Sequence, residues 1–248
     1  MSFLVFDIET RIDKALIRAT EFAREEVSDE EAYRRAREAR ELQTGNDFLP
    51  LTYHVPISIV VGHVRGDHVL HGVEVGKADE RGEAGIVQDF WQRLEAFDGT
   101  LVSFNGRAFD LPVLELQALR WGCAAPKYFN QRDGLRARYG RHYDLYDFLT
   151  NSGVTRLRGG LDLLTKFIGL PGKGGVEGAD VQGLWEERRW GEIHAYCRRD
   201  VIQTYYLFLH VERLRGHLSA ERLRQVEHET EQFRREVDAG AAPSRGND

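Results

Sequence analysis

Hydrophobic and polar positions along the chain change period several times, and each change marks an element. Phe3-Leu4-Val5-Phe6 is a short apolar run of strand formers ended by an acid, which predicts a buried first strand with Asp7 and Glu9 at its carboxyl end. From about Asp13 to Gln43 the chain is dense in Ala, Arg and Glu and contains neither Gly nor Pro, a composition that favours helix. Its apolar residues are too few for a core helix, so the segment reads as one or two solvated helices inserted after the first strand, broken near Ser28-Asp29 where an N-cap pattern falls. That insertion is either a charged arm held by i,i+4 pairs or a lid over substrate. Ile57–Val64 and His68–Val75 are strand-like and separated by Arg65-Gly66-Asp67, which predicts an antiparallel hairpin beside the first strand. Helical periodicity follows over Ala84–Phe97, a short strand over Thr100–Phe104, and helix again over Leu111–Trp121. The run Gly169 to Gly175 is a loop, and Trp190–His217 is a long helix. Leu223, Val226, Phe233 and Val237 then recur at near-heptad spacing, predicting an amphipathic helix that packs on the parent domain or forms a dimer seam.

Composition narrows the class. The 248 residues, 42% hydrophobic and 30% charged, suit one globular domain with a real core. The net charge of −6, from 34 basic and 40 acidic residues, argues against a protein that coats nucleic acid or anionic membrane through its overall field. No apolar run approaches the roughly 20 residues of a membrane span, and the N-terminal residues lack a signal-peptide pattern, which predicts a cytoplasmic protein with no membrane partner. Cys123 and Cys197 have no partner spacing for zinc or disulfides and read as inert thiols.

Carboxylates carry the candidate chemistry. Asp7 and Glu9 are two apart on a strand, so both point to one face and can share metal ions. Asp110 opens the helix after the strand Thr100–Phe104, where a carboxylate gains from the helix N-terminus. Asp200 lies on the long helix with Tyr196 one turn earlier on the same face. An acid cluster without His or Cys suits hard ions such as Mg²⁺ or Mn²⁺ and disfavours zinc. His194, six residues before Asp200, falls on another side of the helix and reads as a surface or packing histidine.

Asp7-Ile8-Glu9-Thr10, Ser103-Phe104-Asn105-Gly106 through Asp110, and Tyr196-Cys197-Arg198-Arg199-Asp200 resemble the three motifs of the DEDD superfamily of 3′–5′ exonucleases. Tyrosine four residues before the last acid, with Ala195 in the position of the alternative histidine, resembles its tyrosine branch (DEDDy). More closely, the chain resembles the predicted 3′–5′ exonucleases related to the proofreading domain of family B DNA polymerases, including the His142-Tyr143-Asp144-Leu145 and Leu170-Pro171-Gly172-Lys173 segments. The resemblance implies an α/β, ribonuclease H-like fold: a central mixed sheet, its first three strands antiparallel and the rest parallel, flanked by helices. It covers the chain to about Leu218 and so implies one exonuclease domain over residues 1–218; the helical insertion within it at about 13–45, an amphipathic helix over 219–237 and a disordered tail over 238–248 are read from composition and periodicity. It further implies two ions, with Asp7 bridging both, Glu9 and Asp200 holding the nucleophile-side ion, Asp110 helping to hold the other, and Tyr196 orienting the attacking water. The substrate so implied is nucleic acid with a free 3′ end, cleaved to nucleoside 5′-monophosphates; no protein partner is inferable.

Phe104 and Asn105 beside the acids are candidates for contacting the terminal nucleotide, with Arg107 next to them. Between Lys127 and Lys173 nine basic residues stand against four acids, and Tyr128, Phe129, Tyr139 and Tyr143 interleave with them. That stretch is either a substrate surface or a solvated basic face. Lys173 either touches a phosphate or sits in a plain loop; it is not a P-loop lysine, because Phe167 and Gly174 break that pattern. Asp144 is either a fifth acid of the site or a cap that braces it. A non-catalytic nucleic-acid-binding module of the same fold is the alternative reading of the whole.

Overall fold

The computed structural model describes residues 2–138, 140–170 and 181–238. Its strands are β1 (Phe3–Ile12), β2 (His54–Val64), β3 (Leu70–Lys77), β4 (Thr100–Ser103) and β5 (His142–Asp144), ordered β3-β2-β1-β4-β5 in one sheet. β1, β2 and β3 pair antiparallel, whereas β4 and β5 run parallel to β1. The helices are α1 (Lys14–Glu21), α2 (Asp29–Thr44), α3 (Ala78–Arg81), α4 (Glu83–Ala96), α5 (Asp110–Trp121), α6 (Pro126–Asn130), α7 (Leu145–Leu149), α8 (Gly160–Phe167), α9 (Val181–Glu186), α10 (Trp190–Leu214) and α11 (Ala220–Asp238). This mixed sheet with helices on both faces is the ribonuclease H-like arrangement.

Strand alternation sorts the core into two halves. Leu4, Phe6 and Ile8 of β1 join Ile59 and Val61 of β2 against α4 and α5, where Phe90, Trp91, Leu94 and Leu114 are buried. Val5 and Val60 project to the opposite face and pack with Cys197, Val201, Tyr205 and Phe208 of α10. Asp7 and Glu9 share the parity of Val5, so the face of β1 that meets α10 is apolar at its start and acidic further on. Gly62 lets that helix come close: a Cβ there would meet Leu70 Cδ1 and Val201 Cγ1, each at 3.2 Å.

β1 does not stop at Phe6. β2 accompanies it from Phe3↔Val64 to Ile12↔His54, with a register shift between Glu9 and Thr10, so the two acids stand in mid-strand. An antiparallel partner satisfies the backbone beyond the apolar run and extends the strand through polar residues.

The insertion forms two helices, broken where the Ser28 cap pattern predicts. Asp13 accepts from the Leu16 N–H at 3.1 Å and Ser28 Oγ from the Glu31 N–H at 3.1 Å. Ile17, Ala32, Ala36, Leu49 and Tyr53 give the pair a small core of its own, and Arg34 and Arg35 both pair with Glu31 on its surface. At the other end of the chain, Leu223 and Val226 are buried with α10, and Tyr205 Oη lies 2.9 Å from Thr230 Oγ1, so α11 packs on the parent domain. The expected tail beyond residue 238 lies outside the described residues. Among those described, no helix is long and apolar enough to cross a membrane.

A charged knot anchors the far end of α10. Glu212 accepts from His68 of the β2–β3 turn at 3.2 Å, from His217 at 3.0 Å and from Arg215 at 2.9 Å. Burial pushes its carboxyl up, but these three donors outweigh burial and hold it at about 2. A depressed carboxyl stabilises the fold above its unfolded value near 4.5, and that stabilisation is lost as pH falls towards 2. Acid unfolding monitored by circular dichroism is therefore expected to lose about 1–3 kcal/mol over this window. Glu212→Gln should be less stable at pH 7 and should flatten the profile; an unchanged profile would mean the knot contributes nothing.

Candidate active site

The site begins where β1 outruns its parallel neighbour. β4 pairs with β1 only at Phe3, Leu4 and Val5, and the chain then leaves the sheet through Phe104 and Asn105. The backbone N–H of Ile8, between the two acids, is taken up by Asp110: it donates to Asp110 Oδ1 at 3.1 Å. Asp110 stands in the first turn of α5, behind Phe109, and is buried. Across the gap, α10 presents Tyr196 and Asp200 one turn apart.

These residues line one cavity of about 420 Å³. Its walls include Asp7, Glu9, Asp110, Asp200 and Tyr196, together with Phe104, Asn105, Phe48 and Phe109. The sequence-predicted acids and tyrosine are thus brought together, and so are two of the four predicted substrate contacts. A larger cleft of about 850 Å³ beside α4 and β3 shares none of these residues. The acids are not equivalent in spacing: ligand atoms of Asp7, Glu9 and Cys197 lie within 4.8 Å of one another, whereas Asp110 and Asp200 face the cavity from its other walls.

Burial pushes the Asp110 carboxyl up to about 7, against the hydrogen bonds from the Ile8 N–H and its own N–H, and the charges of Asp144 and Asp200 push the same way. Among the described residues that line the cavity, none is Lys, Arg or His. A concave site walled by four carboxylates suits a hard divalent cation with oxygen ligands.

Asp144 braces the site. Its Oδ1 accepts from the N–H groups of Asn105 at 2.8 Å and Tyr146 at 3.0 Å, and its Oδ2 from that of Arg107 at 2.9 Å. The Asp147 N–H adds a longer contact of 3.4 Å to Oδ1. Both oxygens therefore hold backbone, and one carboxylate ties the loop after β4 to the start of α7. The loop needs the tie, because Asn105 sits at φ 64°, in the left-handed region that Asn tolerates better than most residues. Gly106 follows it in contact with β4: a Cβ there would lie 2.4 Å from Ser103 Oγ.

Other predicted contacts go elsewhere. Arg107 is absent from the cavity wall; its guanidinium donates to the carbonyls of His142 at 2.8 Å and Ala137 at 3.2 Å. Lys173 and Tyr139 lie outside the described residues. The basic stretch disperses as a surface: Lys127 donates to the Phe97 carbonyl, Arg136 pairs with Glu115, Arg141 with Asp98 and Lys166 with Asp162, while Tyr128 is buried in the core.

Two residues escaped the sequence reading. Phe48 is 50% exposed yet held, stacked on His54 at 5.0 Å and edge-on to Phe109 at 5.7 Å, and it lines the cavity from the insertion side. Its only signal was an isolated aromatic in a polar segment, Asn46-Asp47-Phe48. Cys197 Sγ donates to Asp7 Oδ2 at 3.6 Å, a contact that strand and helix periods alone do not reveal.

Fold and site together define an α/β domain of ribonuclease H-like topology with an acid-walled cavity. Residues 46–241 match the family model described as "Predicted 3′-5′ exonuclease related to the exonuclease domain of PolB", and the chain belongs to that family. Asp110, Tyr196 and Asp200 fall inside the matched span, and Asp7 and Glu9 precede it. The chain is 27% identical over 136 residues to a DNA polymerase of Archaeoglobus fulgidus, a match covering 50% of this chain and 17% of the polymerase. Two solved structures of exonuclease I show distant likenesses. One, the zinc-bound E. coli enzyme in complex with single-stranded DNA, has a TM-score of 0.46 at 12% identity, covering 87% of this chain and 41% of that one. The other has a TM-score of 0.43 at 13% identity, covering 86% and 44%. The chain thus spans less than half the length of each of these proteins.

Asp144→Asn turns one acceptor into an NH₂ group facing backbone donors. It is expected to lower the unfolding free energy by about 1–3 kcal/mol, read as a shifted urea midpoint. A midpoint equal to wild type would remove Asp144 from its bracing role.

Proposed function

We propose that the chain is a metal-dependent 3′–5′ exonuclease that cleaves phosphodiester bonds from the 3′ end of single-stranded DNA or RNA and releases nucleoside 5′-monophosphates. The observation that carries this reading is the cavity that brings Asp7, Glu9, Asp110, Asp200 and Tyr196 together. Asp7, Glu9, Asp110 and Asp200 would hold two Mg²⁺ or Mn²⁺ ions. Such ions supply Lewis acidity that lowers the pKa of water and stabilises the departing 3′-oxygen.

The chain's own groups do the rest. A phenol with an ordinary pKa of about 10 is a poor general base near neutrality, so Tyr196 orients the attacking water by hydrogen bond. Phe104 and Asn105, on the cavity wall, contact the terminal nucleotide, and Asp144 fixes the backbone that carries them.

The test is to incubate the pure protein with 5′-labelled and 3′-labelled DNA and RNA strands in Mn²⁺, Mg²⁺ or EDTA. Progressive shortening of the 5′-labelled strand, immediate release of labelled monophosphate from the 3′ end, and loss of both in EDTA are expected. No shortening of any strand with either ion would overturn the proposal and leave a binding module. Asp7→Ala and Asp200→Ala should abolish both hydrolysis and metal binding. Tyr196→Phe should slow single-turnover hydrolysis by about 10- to 100-fold with metal binding intact, the scale of losing alignment of a reactant. An unchanged single-turnover rate would remove the tyrosine from the mechanism.

A further inference from the structure

A chain of polar side chains, buried in its middle links, ends on Asp7. It starts in α3, where Asp79 Oδ1 lies 3.0 Å from His194 Nε2. The other ring nitrogen, His194 Nδ1, lies 3.0 Å from Ser58 Oγ on β2. The Ser58 hydroxyl hydrogen-bonds the Cys197 sulfur, and the Cys197 thiol donates to Asp7 Oδ2 at 3.6 Å and to the Asp7 carbonyl at 3.4 Å. Ser58 and Cys197 are both 0% exposed and His194 is 8% exposed.

The Ser58–His194–Asp79 segment has the composition of a nucleophilic triad, but it cannot act as one. Ser58 is sealed from solvent, and its hydroxyl is shared between an imidazole and a sulfur, so no substrate reaches it. Direct ligation by Cys197 fits no better, despite its place in the close group with Asp7 and Glu9: the sulfur does not line the cavity, whereas both carboxylates do. What remains is a support that meets one oxygen of Asp7 from behind.

We infer that Cys197, held through Ser58 and His194, is a positioning residue that fixes the carboxylate of Asp7 for metal binding. The inference rests on the reading of Asp7 as a metal ligand. A carboxylate free to rotate presents its oxygens in several directions, whereas one held by a donor on its inner side keeps the outer lone pairs aimed into the cavity. The cysteine and the histidine then serve one purpose, which gives a role to the serine hydroxyl that lies on β2 between the buried Ile57 and Ile59.

The test measures Mn²⁺ binding directly, by calorimetry and by the electron paramagnetic resonance signal of free Mn²⁺, alongside oligonucleotide cleavage. Supports of metal ligands are typically worth about 10- to 100-fold in affinity, and a thiol is a weak donor, so Cys197→Ala should weaken Mn²⁺ binding about tenfold. The kcat should fall with little change in KM for the oligonucleotide. Cys197→Ser, which keeps a donor, should recover most of the affinity. His194→Ala breaks the chain at its rim with the least disturbance of the core and should weaken Mn²⁺ binding about two- to threefold, the scale of a remote link. Ser58→Ala combined with Cys197→Ala should be no worse than Cys197→Ala alone, because both act through one path.

Mn²⁺ affinity unchanged in both Cys197→Ala and His194→Ala would overturn the inference, as would strictly additive losses in the double variant. Cd²⁺ bound far more tightly by wild type than by Cys197→Ser would identify the sulfur as a ligand and overturn it as well. If the wild-type protein binds Mn²⁺ but cleaves nothing, the binding measurements still decide the positioning role while the functional reading fails separately.

Discussion

The hydrogen bond from the Ile8 N–H to the Asp110 carboxylate is the contact on which the site depends. A strand that outlasts its neighbour leaves backbone donors facing nothing, and a buried donor without an acceptor costs about 1–3 kcal/mol. β1 meets this at Ile8 with a side chain from another element, and in doing so draws the start of α5 into the gap that β4 has vacated. The acid that satisfies the strand is thereby placed against the two acids that flank it in sequence. Burying that acid is a consequence of closing the gap beside the strand, and burial, helped by the charges of Asp144 and Asp200, is what raises its carboxyl.

Much of this was legible in the chain. The two-residue spacing of Asp7 and Glu9 and the one-turn spacing of Tyr196 and Asp200 are properties of strand and helix periods, which the structure preserves. The N-cap pattern at Ser28-Asp29 located the break between the inserted helices, since a side-chain acceptor at a helix start is a local event. Features decided by distant partners were not legible. β1 continues to Ile12 because β2 runs beside it, and no window of ten residues contains that information. β5 is three residues long, too short for alternation to register, and Asp144 at its end could be read as ligand or brace until its four backbone donors were in view. The basic stretch from Lys127 stayed open between two readings for the same reason: linear charge density says nothing about which Arg meets a Glu from another helix.

The overall charge takes on a local meaning. Net −6 argues against a nucleic-acid surface only if the charge is spread evenly, and four acids are gathered in one cavity whose described lining residues include no cation. Elsewhere the charges largely pair with each other, as Arg34 and Arg35 do with Glu31 on the inserted helices. Exposed pairs of that kind contribute little to stability.

α10 reconciles these demands because it is fastened at both ends and divided along its length. Near its start, His194 reaches Ser58 and Asp79; near its end, Glu212 gathers His68, Arg215 and His217. Between the anchors, Val201, Tyr205 and Phe208 fill the core while Tyr196 and Asp200 face the cavity. A helix held only by apolar contacts can slide or rotate slightly at small cost, and a displacement of even 1 Å would change the distance from Asp200 to the acids of β1. Polar contacts have defined partners and short ranges, so the two terminal clusters set the register that hydrophobic packing alone leaves soft. The precision of the acid cluster is thus specified away from the cavity, by polar groups that take no part in lining it.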